Sequence, residues 1–163
     1  MITEIKISFD EQKVIDEIST LDLPPGHSNN WWRAQTEEMK QFWYKTDTWL
    51  KTIIEDTSNL PEIARLNSIL ECDIMYVYKQ LANSDLPKHR DYDVITAVNL
   101  LLTEDRAPMT FDHGDVYYKH ALIDVSQRHS VKAHPKDRLL LKYAWHKKTF
   151  EEVKSELTEK GLI

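Results

Sequence analysis

The feature that most constrains the fold is a change in the hydrophobic pattern after Glu71. Before this point, apolar residues recur at helical intervals, and after it they form five short runs rich in β-branched, aromatic and aliphatic residues. The runs are CDIMYVYKQ, VITAVNLLL, APMTF, VYYKHALIDVS and RLLLKYAW, and turn-like segments separate them. Residues 71–146 are therefore predicted to form an antiparallel barrel or sandwich.

Residues 1–70 are predicted to be mainly helical. Ser8 and Glu11 have the spacing of a capping box before a first helix. A long amphipathic helix is predicted from about Thr36 to Thr57, and a short helix is predicted to begin near Pro61. These helices would support the β core from outside.

A last helix is predicted within residues 147–163, where Thr149 and Glu152 repeat the capping-box spacing. The chain of 163 residues is long enough for one sizeable core and too short for two ordinary ones. We therefore expect a single domain over residues 1–163, of the α+β class.

Charge and cysteine content limit the functions to be considered. The formal net charge of -6 makes nucleic acid an unlikely partner, and no apolar run approaches the roughly 20 residues that span a bilayer. The single cysteine, Cys72, fits a reducing compartment, so a cytoplasmic location without membrane attachment is expected. The basic stretch HSVKAHPKDRLLLKYAWHKK is interpreted as a solvated barrel edge.

Three side chains are candidate metal ligands. His89 and Asp91 stand two residues apart before a β run, and two such positions in one strand point to the same face. His129 follows a later β run and would add a second imidazole. Two imidazoles and one carboxylate are the ligand set of non-haem Fe(II) oxygenases. His134 is a rival third ligand, but its turn-like surroundings in AHPKD favour His129.

Arg138 lies nine residues after His129, at the start of RLLLKYAW. A guanidinium that projects into a barrel remains charged and needs an anion, and its planar shape matches a carboxylate. A dicarboxylate co-substrate would supply that anion.

The order of these motifs resembles the double-stranded β-helix core of Fe(II)/2-oxoglutarate-dependent oxygenases. The H-x-D pair, then NLLLTED and APMTF, then ALIDVSQRHSV and KDRLLLKYAW carry the resemblance, over roughly residues 72–146. Within the family, the chain is most similar to the prolyl-hydroxylase-like branch and to small phage-type members. The family's Gly-rich turn and its R-x-S motif are absent from the corresponding segments, which leaves the substrate side hard to assign.

The resemblance implies a role for each candidate residue. His89, Asp91 and His129 would bind Fe(II) and serve catalysis, and Arg138 would pair with the distal carboxylate of 2-oxoglutarate. Tyr78, with Tyr76 as the substitute, corresponds to a tyrosine that hydrogen-bonds this co-substrate. Asn99 is a further candidate to contact the co-substrate or to tie down a loop. Dioxygen would be the second co-substrate, and ascorbate is a candidate reductant.

Three functions remain open from the sequence. The first is an oxygenase that couples oxidative decarboxylation of 2-oxoglutarate to oxidation, typically hydroxylation, of a small-molecule or peptidyl substrate. The second is a non-catalytic double-stranded β-helix that serves as a binding or assembly module. The third is a cupin-like metalloenzyme that uses no 2-oxoglutarate. The sequence leaves the substrate and the oligomeric state open.

Overall fold

The computed structural model describes residues 1–26, 37–38, 41, 47–91, 93–103 and 107–163. Within these ranges lie three helices, α1 (Glu11–Ile18), α2 (Pro61–Leu70) and α3 (Phe150–Glu159). The same ranges contain ten strands: β1 (Ile2–Glu4), β2 (Trp49–Ile54), β3 (Ile74–Gln80), β4 (Leu86–His89), β5 (Thr96–Leu101), β6 (Ala107–Phe111), β7 (Gly114–Tyr118), β8 (His120–Asp124), β9 (His129–Val131) and β10 (Arg138–Trp145). No helix of the described residues has the length and apolar character needed to cross a bilayer.

The strands form two antiparallel sheets. One sheet has six strands in the order β1-β8-β5-β10-β3-β2, and the other has four in the order β4-β9-β6-β7. Neighbouring strands in both sheets are mostly distant in sequence, as in a rolled-up double-stranded β-helix. With three helices beside the two sheets, the fold is the α+β double-stranded β-helix expected from the sequence.

The six-stranded sheet has two different faces because alternate side chains of each strand point in opposite directions. On β10, Leu141, Tyr143 and Trp145 belong to an apolar core that also contains residues of all three helices. The opposite face, which includes Ala144, joins a smaller core with Met109 and Phe111 of the four-stranded sheet. The helices therefore cover the outer face, and the inner face lines the space between the sheets.

The long helix predicted from Thr36 to Thr57 is wrong over its second half. Residues 49–54 form β2, the edge strand of the six-stranded sheet, with Trp49 opposite Gln80 and Ile54 opposite Met75. Apolar residues at 49, 50, 53 and 54 fit a helical period, but pairing with β3 satisfies the backbone and buries Trp49. Met39, Phe42 and Trp43, which supported the first half of that helix, lie outside the described residues.

The run VYYKHALIDVS, predicted as one strand, is two. β7 belongs to the four-stranded sheet and β8 to the six-stranded sheet, so the chain crosses between the sheets at Lys119. The sequence pattern does not reveal such a crossing, because side chains alternate between the two faces within β7 and again within β8.

The N-terminal caps of α3 and α1 are formed in different ways. At α3 the predicted capping box is present: Thr149 Oγ1 accepts from the Glu152 amide at 3.3 Å, and the Thr149 amide donates to Glu152 Oε2 at 2.7 Å. At α1 the predicted box is wrong, because the cap is Asp10, which accepts from the Lys13 amide. Glu17 of α1 then caps α2, where Oε1 accepts from the Glu62 amide at 2.8 Å.

Candidate metal centre

Two histidines face each other across a pair of short strands. His89, the last residue of β4, lies directly opposite His129, the first residue of β9, in the antiparallel register. The centroids of their rings are 4.5 Å apart and the ring planes are tilted by 57°. Side chains of directly opposed residues share a face of the sheet, so strand pairing brings together two residues that are 40 positions apart in the sequence.

Asp91 reaches the same point by a route that the sequence did not predict. The prediction placed His89 and Asp91 in one strand, which is wrong: β4 ends at His89 and β5 begins only at Thr96. Asp91 lies in the connection, where its amide donates to the Val125 carbonyl at 3.1 Å. Its Oδ1 is 3.3 Å from Nε2 of His89 and 3.3 Å from Nε2 of His129. The predicted convergence is therefore present, but a loop produces it.

The hydrogen bonds of the two rings define which nitrogen is available to a metal. Nδ1 of His89 lies 2.7 Å from the Pro87 carbonyl, and Nδ1 of His129 lies 2.8 Å from the Gln127 carbonyl. A carbonyl oxygen only accepts, so each Nδ1 must donate its proton. In a neutral ring, Nε2 then carries the lone pair and faces the carboxylate. Backbone carbonyls that fix the tautomer in this way are typical of histidines that ligate metals.

The three groups form a compact and largely buried donor set. One ligand atom from each of His89, Asp91 and His129 lies within 4.8 Å of the other two. The exposed fractions of the side chains are 11%, 13% and 3% respectively, so little solvent reaches them. The rival His134 lies in the turn before β10, where its Nδ1 accepts from the Lys136 amide, and it is outside this cluster.

A buried lysine contacts the carboxylate oxygen that the imidazoles do not contact. Nζ of Lys142, on β10, forms an ion pair with Oδ2 of Asp91, and Lys142 is only 5% exposed. Burial alone would raise the pKa of Asp91. The charge of Lys142 and the hydrogen bonds with His129 and His89 outweigh burial, so the pKa of Asp91 lies well below its usual value. The carboxylate is therefore ionised and available as a ligand at neutral pH.

A second lysine and two tyrosines extend this charged region along the inner face. Lys51 on β2 and Lys142 on β10 flank β3, where Tyr78 is opposite Lys51 and Tyr76 is opposite Lys142. Nζ of Lys51 is 5.3 Å from the ring centroid of Tyr76 and 5.6 Å from that of Tyr78. For Nζ of Lys142, the corresponding distances are 6.0 and 5.9 Å.

Burial, followed by the charge of Lys142, lowers the pKa of Lys51 to about 8, although the charge of Asp91 acts in the opposite sense. Burial and the nearby Asp91 charge raise the pKa of Tyr78 well above its usual value, so this hydroxyl keeps its proton. Tyr76 and Tyr78 are two positions apart on β3, so they share a face of the strand, and their ring centroids are 5.8 Å apart.

Arg138 and Asn99 also lie on the inner face. Arg138 begins β10 and is 4% exposed, and Asn99 on β5 is 2% exposed. Asn99 Nδ2 donates to the hydroxyl of Tyr118 at 3.2 Å, a bond that joins the two sheets across the interior. Burial raises the pKa of Tyr118, whereas the Asn99 hydrogen bond and the charge of Arg138 lower it. Arg138, Asn99 and Tyr118 thus share one polar region.

Three residues of this interior were not predicted as site residues, namely Lys51, Lys142 and Tyr118. The sequence contained a signal that Lys142 faces the interior, because it lies four positions after Arg138 in RLLLKYAW and therefore on the same face of the strand. Its stretch was instead interpreted as a solvated edge, which is wrong for the buried Lys142, whereas Arg138 is buried as its predicted projection into the barrel requires. Lys51 lay in a predicted helix, and Tyr118 lay in a predicted strand whose crossing between the sheets was not anticipated.

Two further histidines, His113 and His120, are not part of the three-residue cluster. Exposed His113 stacks on Phe111, whose ring centroid is also 5.9 Å from that of His129. His120 contacts Phe9 on another part of the surface. Among the aromatic residues of the stretch from 31 to 49, Trp49 is buried in β2, and five others lie outside the described residues: Trp31, Trp32, Phe42, Trp43 and Tyr44.

Comparison with known proteins supports the fold. No family model and no curated protein matches the sequence. A solved oxidoreductase of the 2OG-Fe(II) oxygenase family from Burkholderia pseudomallei is similar, with a TM-score of 0.57 and 10% identity, over 89% of this chain and 87% of that chain. At this identity the likeness shows the double-stranded β-helix fold and not the activity.

More distant likenesses exist to two further structures. An RmlC-like cupin protein from Desulfovibrio desulfuricans has a TM-score of 0.40 and 14% identity, over 59% of this chain and 81% of that chain. KdgF from Halomonas sp. has a TM-score of 0.44 and 8% identity, over 64% of this chain and 85% of that chain. Neither likeness is close enough to carry a functional argument.

Proposed function

We propose that this protein is an Fe(II)/2-oxoglutarate-dependent oxygenase whose metal ligands are His89, Asp91 and His129. The observation that carries the proposal is the meeting of Oδ1 of Asp91 with Nε2 of both histidines, each ring held by a backbone carbonyl at Nδ1. The likeness of fold to an oxygenase-family structure supports it.

The donor set fits Fe(II) because two imidazoles and one carboxylate occupy one side of an ion and leave the other side open. When bound, Fe(II) with 2-oxoglutarate supplies the activation of dioxygen for oxidation of a second substrate, and the resemblance in sequence to the prolyl-hydroxylase-like branch makes hydroxylation the expected outcome. The protein's own contribution is to hold the three ligands in place and to limit the access of water to them.

Arg138, Tyr118 and Asn99 are suited to hold the far carboxylate of 2-oxoglutarate. The hydroxyl of Tyr118 accepts from Asn99, so its own proton is available for an acidic group near Arg138. A charged donor and a neutral donor on one side of a carboxylate compensate its charge and also hold it in one orientation. Tyr78, whose hydroxyl keeps its proton, is the candidate donor nearer the metal.

The proposed environment agrees with this chemistry. Fe(II) persists in a reducing compartment, and a chain with one cysteine fits the cytoplasm. Its substrate would be a small molecule or a peptidyl group that enters between the sheets.

The test compares His129 with His134, the two alternatives for the third metal ligand. Purified protein is assayed for conversion of 2-oxoglutarate to succinate with Fe(II) and ascorbate, and Mn(II) binding is measured by electron paramagnetic resonance. His129→Ala should abolish turnover and weaken Mn(II) binding at least about 100-fold, because a direct ligand matters at least as much as a supporting residue. His134→Ala should change neither.

Other outcomes would select the other two functions. Protein that binds neither Mn(II) nor 2-oxoglutarate would be a binding or assembly module. Protein that binds iron and consumes dioxygen without 2-oxoglutarate would be a cupin-like metalloenzyme of another kind. Equal behaviour of the two histidine variants would refute the assignment of the ligands.

A further inference from the structure

The wall of the site beside Asp91 carries two ammonium groups close together. Lys51 and Lys142 lie on the strands either side of β3, and Nζ of each is within about 6 Å of the same two tyrosine rings, Tyr76 and Tyr78. Cross-strand neighbours on one face are in contact, so these four side chains form a continuous surface. We call it the lysine–tyrosine wall.

The wall concentrates positive charge. A cation over an aromatic ring is attracted to it, but this attraction is smaller than the cost of removing an ammonium group from water. In the structure, the carboxylate of Asp91 faces Lys142. Once Asp91 binds a divalent metal ion, its charge is shared with that ion, and it compensates Lys142 less. An anion at the wall would restore the balance.

The anchor proposed for 2-oxoglutarate lies elsewhere on the same face. Arg138 is four residues before Lys142 along β10, which corresponds to about 13 Å between their Cα atoms in a strand. One carboxylate of 2-oxoglutarate would bind the metal and the other would bind Arg138. Apart from the hydroxyl of Tyr78, which is the candidate donor to the co-substrate, the lysine–tyrosine wall is therefore left for a different acidic group.

We propose that Lys51 and Lys142, on the faces of Tyr76 and Tyr78, form a second anion-binding position that receives a carboxylate or phosphate group of the primary substrate. The substrate class is accordingly a small acid. This inference rests on the proposed function for the reaction, but the anion position can be tested without turnover. Burial first, and then the nearby charge of Lys142, lowers the pKa of Lys51 to about 8, which agrees with two ammonium groups placed close together inside the protein.

The test uses fluorine probes and the full chain loaded with Mn(II) and N-oxalylglycine, which occupies the co-substrate position. Trifluoroacetate represents a carboxylate, monofluorophosphate represents a phosphate, and trifluoroacetamide is the neutral control. Fluorine relaxation caused by Mn(II) reports binding near the metal. We expect saturable relaxation of at least one anion and none of the amide, and the anion that binds more tightly identifies the acidic group.

Lys51→Met should weaken binding of that anion at least about 10-fold, because a hydrogen bond to a charged group contributes about 1.5–3 kcal/mol. Lys51→Arg should retain most of the binding, which separates loss of charge from loss of structure. Lys154→Met is the matched control, since Lys154 also lies over an aromatic ring, that of Phe150, at 5.8 Å. Binding of N-oxalylglycine should change less than about 2-fold in all three variants, because its anchor is Arg138.

Three results would overturn the inference: no saturable anion binding, equal relaxation of the amide, or equal anion binding by the wild type and Lys51→Met. If Mn(II) itself does not bind, the proposed function fails, and the same titration of metal-free protein is then followed by fluorine line width. Anion binding that Lys51→Met removes would uphold the wall in that case, and its absence would refute it.

Discussion

The two faces of the six-stranded sheet have opposite chemical characters. Along β10, Leu141, Tyr143 and Trp145 face outward into an apolar core and are 0% exposed, while Arg138 and Lys142 face inward and are nearly as deeply buried. The outer face gains stability from apolar area, at about 25 cal/mol per Å². The inner face buries charged side chains, and each of these needs an oppositely charged or hydrogen-bonding group to offset the loss of water. Folding thus depends mainly on one face, and the proposed chemistry on the other.

The largest expected effect comes from the outer face. Leu141→Ala should lower the free energy of unfolding by about 3–4 kcal/mol, because a fully buried leucine leaves a cavity. Leu140→Ala, one position away on the inner face and only partly buried, should have a clearly smaller effect. Urea unfolding of both variants measures the difference, and equal losses would contradict the assignment of the two faces.

The second largest effect is expected at Asp91, the proposed metal ligand that pairs with Lys142 of the inner face. Asp91→Asn keeps the shape of the side chain but removes its charge, so the Kd for Mn(II) should rise at least about 100-fold. Asp137→Asn is the control, since Asp137 is half-exposed and pairs with Lys79 at 3.8 Å on the surface. Calorimetric titration with Mn(II) measures both variants. A Kd for Asp91→Asn within a few-fold of wild type would exclude Asp91 as a ligand.

A somewhat smaller effect is expected at Arg138. Arg138→Met should raise the Kd for N-oxalylglycine about 10- to 100-fold, the value of a hydrogen bond to a charged group. Mn(II) affinity should stay within about 2-fold, because none of the three proposed metal ligands lies on β10. Arg65→Met, on the helical side of the molecule, should alter neither. Loss of Mn(II) binding in Arg138→Met would mean that Arg138 supports the fold and not the co-substrate.

The smallest effect is expected at the cap of α3, which lies on the outer side. Thr149→Ala removes a capping hydrogen bond and should lower the free energy of unfolding by about 1 kcal/mol while leaving metal affinity unchanged. Thr158→Ala, the same substitution later in the helix, should cost less, since its hydroxyl only bonds back to the Lys154 carbonyl. Thermal unfolding and Mn(II) titration together test whether the two faces are independent.

Most of the β core, and the three residues that meet at the candidate metal centre, could be predicted from the sequence. RLLLKYAW became β10 over its whole length, and the segments around Ile74 and Thr96 became β3 and β5. These predictions succeeded because a half-buried strand shows its period of two and its β-branched residues locally. His89, Asp91 and His129, which the structure brings together, were chosen as candidate ligands because each combines a metal-ligand side chain with a position next to a β run.

What only the tertiary structure decided was which segments meet. β2 could not be distinguished from a helix by its apolar spacing, and its pairing with β3 is what places Lys51 beside Tyr78. Asp91 reaches the histidines from a loop, and Lys142 reaches Asp91 from a strand 51 residues away. Local periodicity records which side of an element is buried, but not what it is buried against, because contacts between distant segments depend on the whole packed chain.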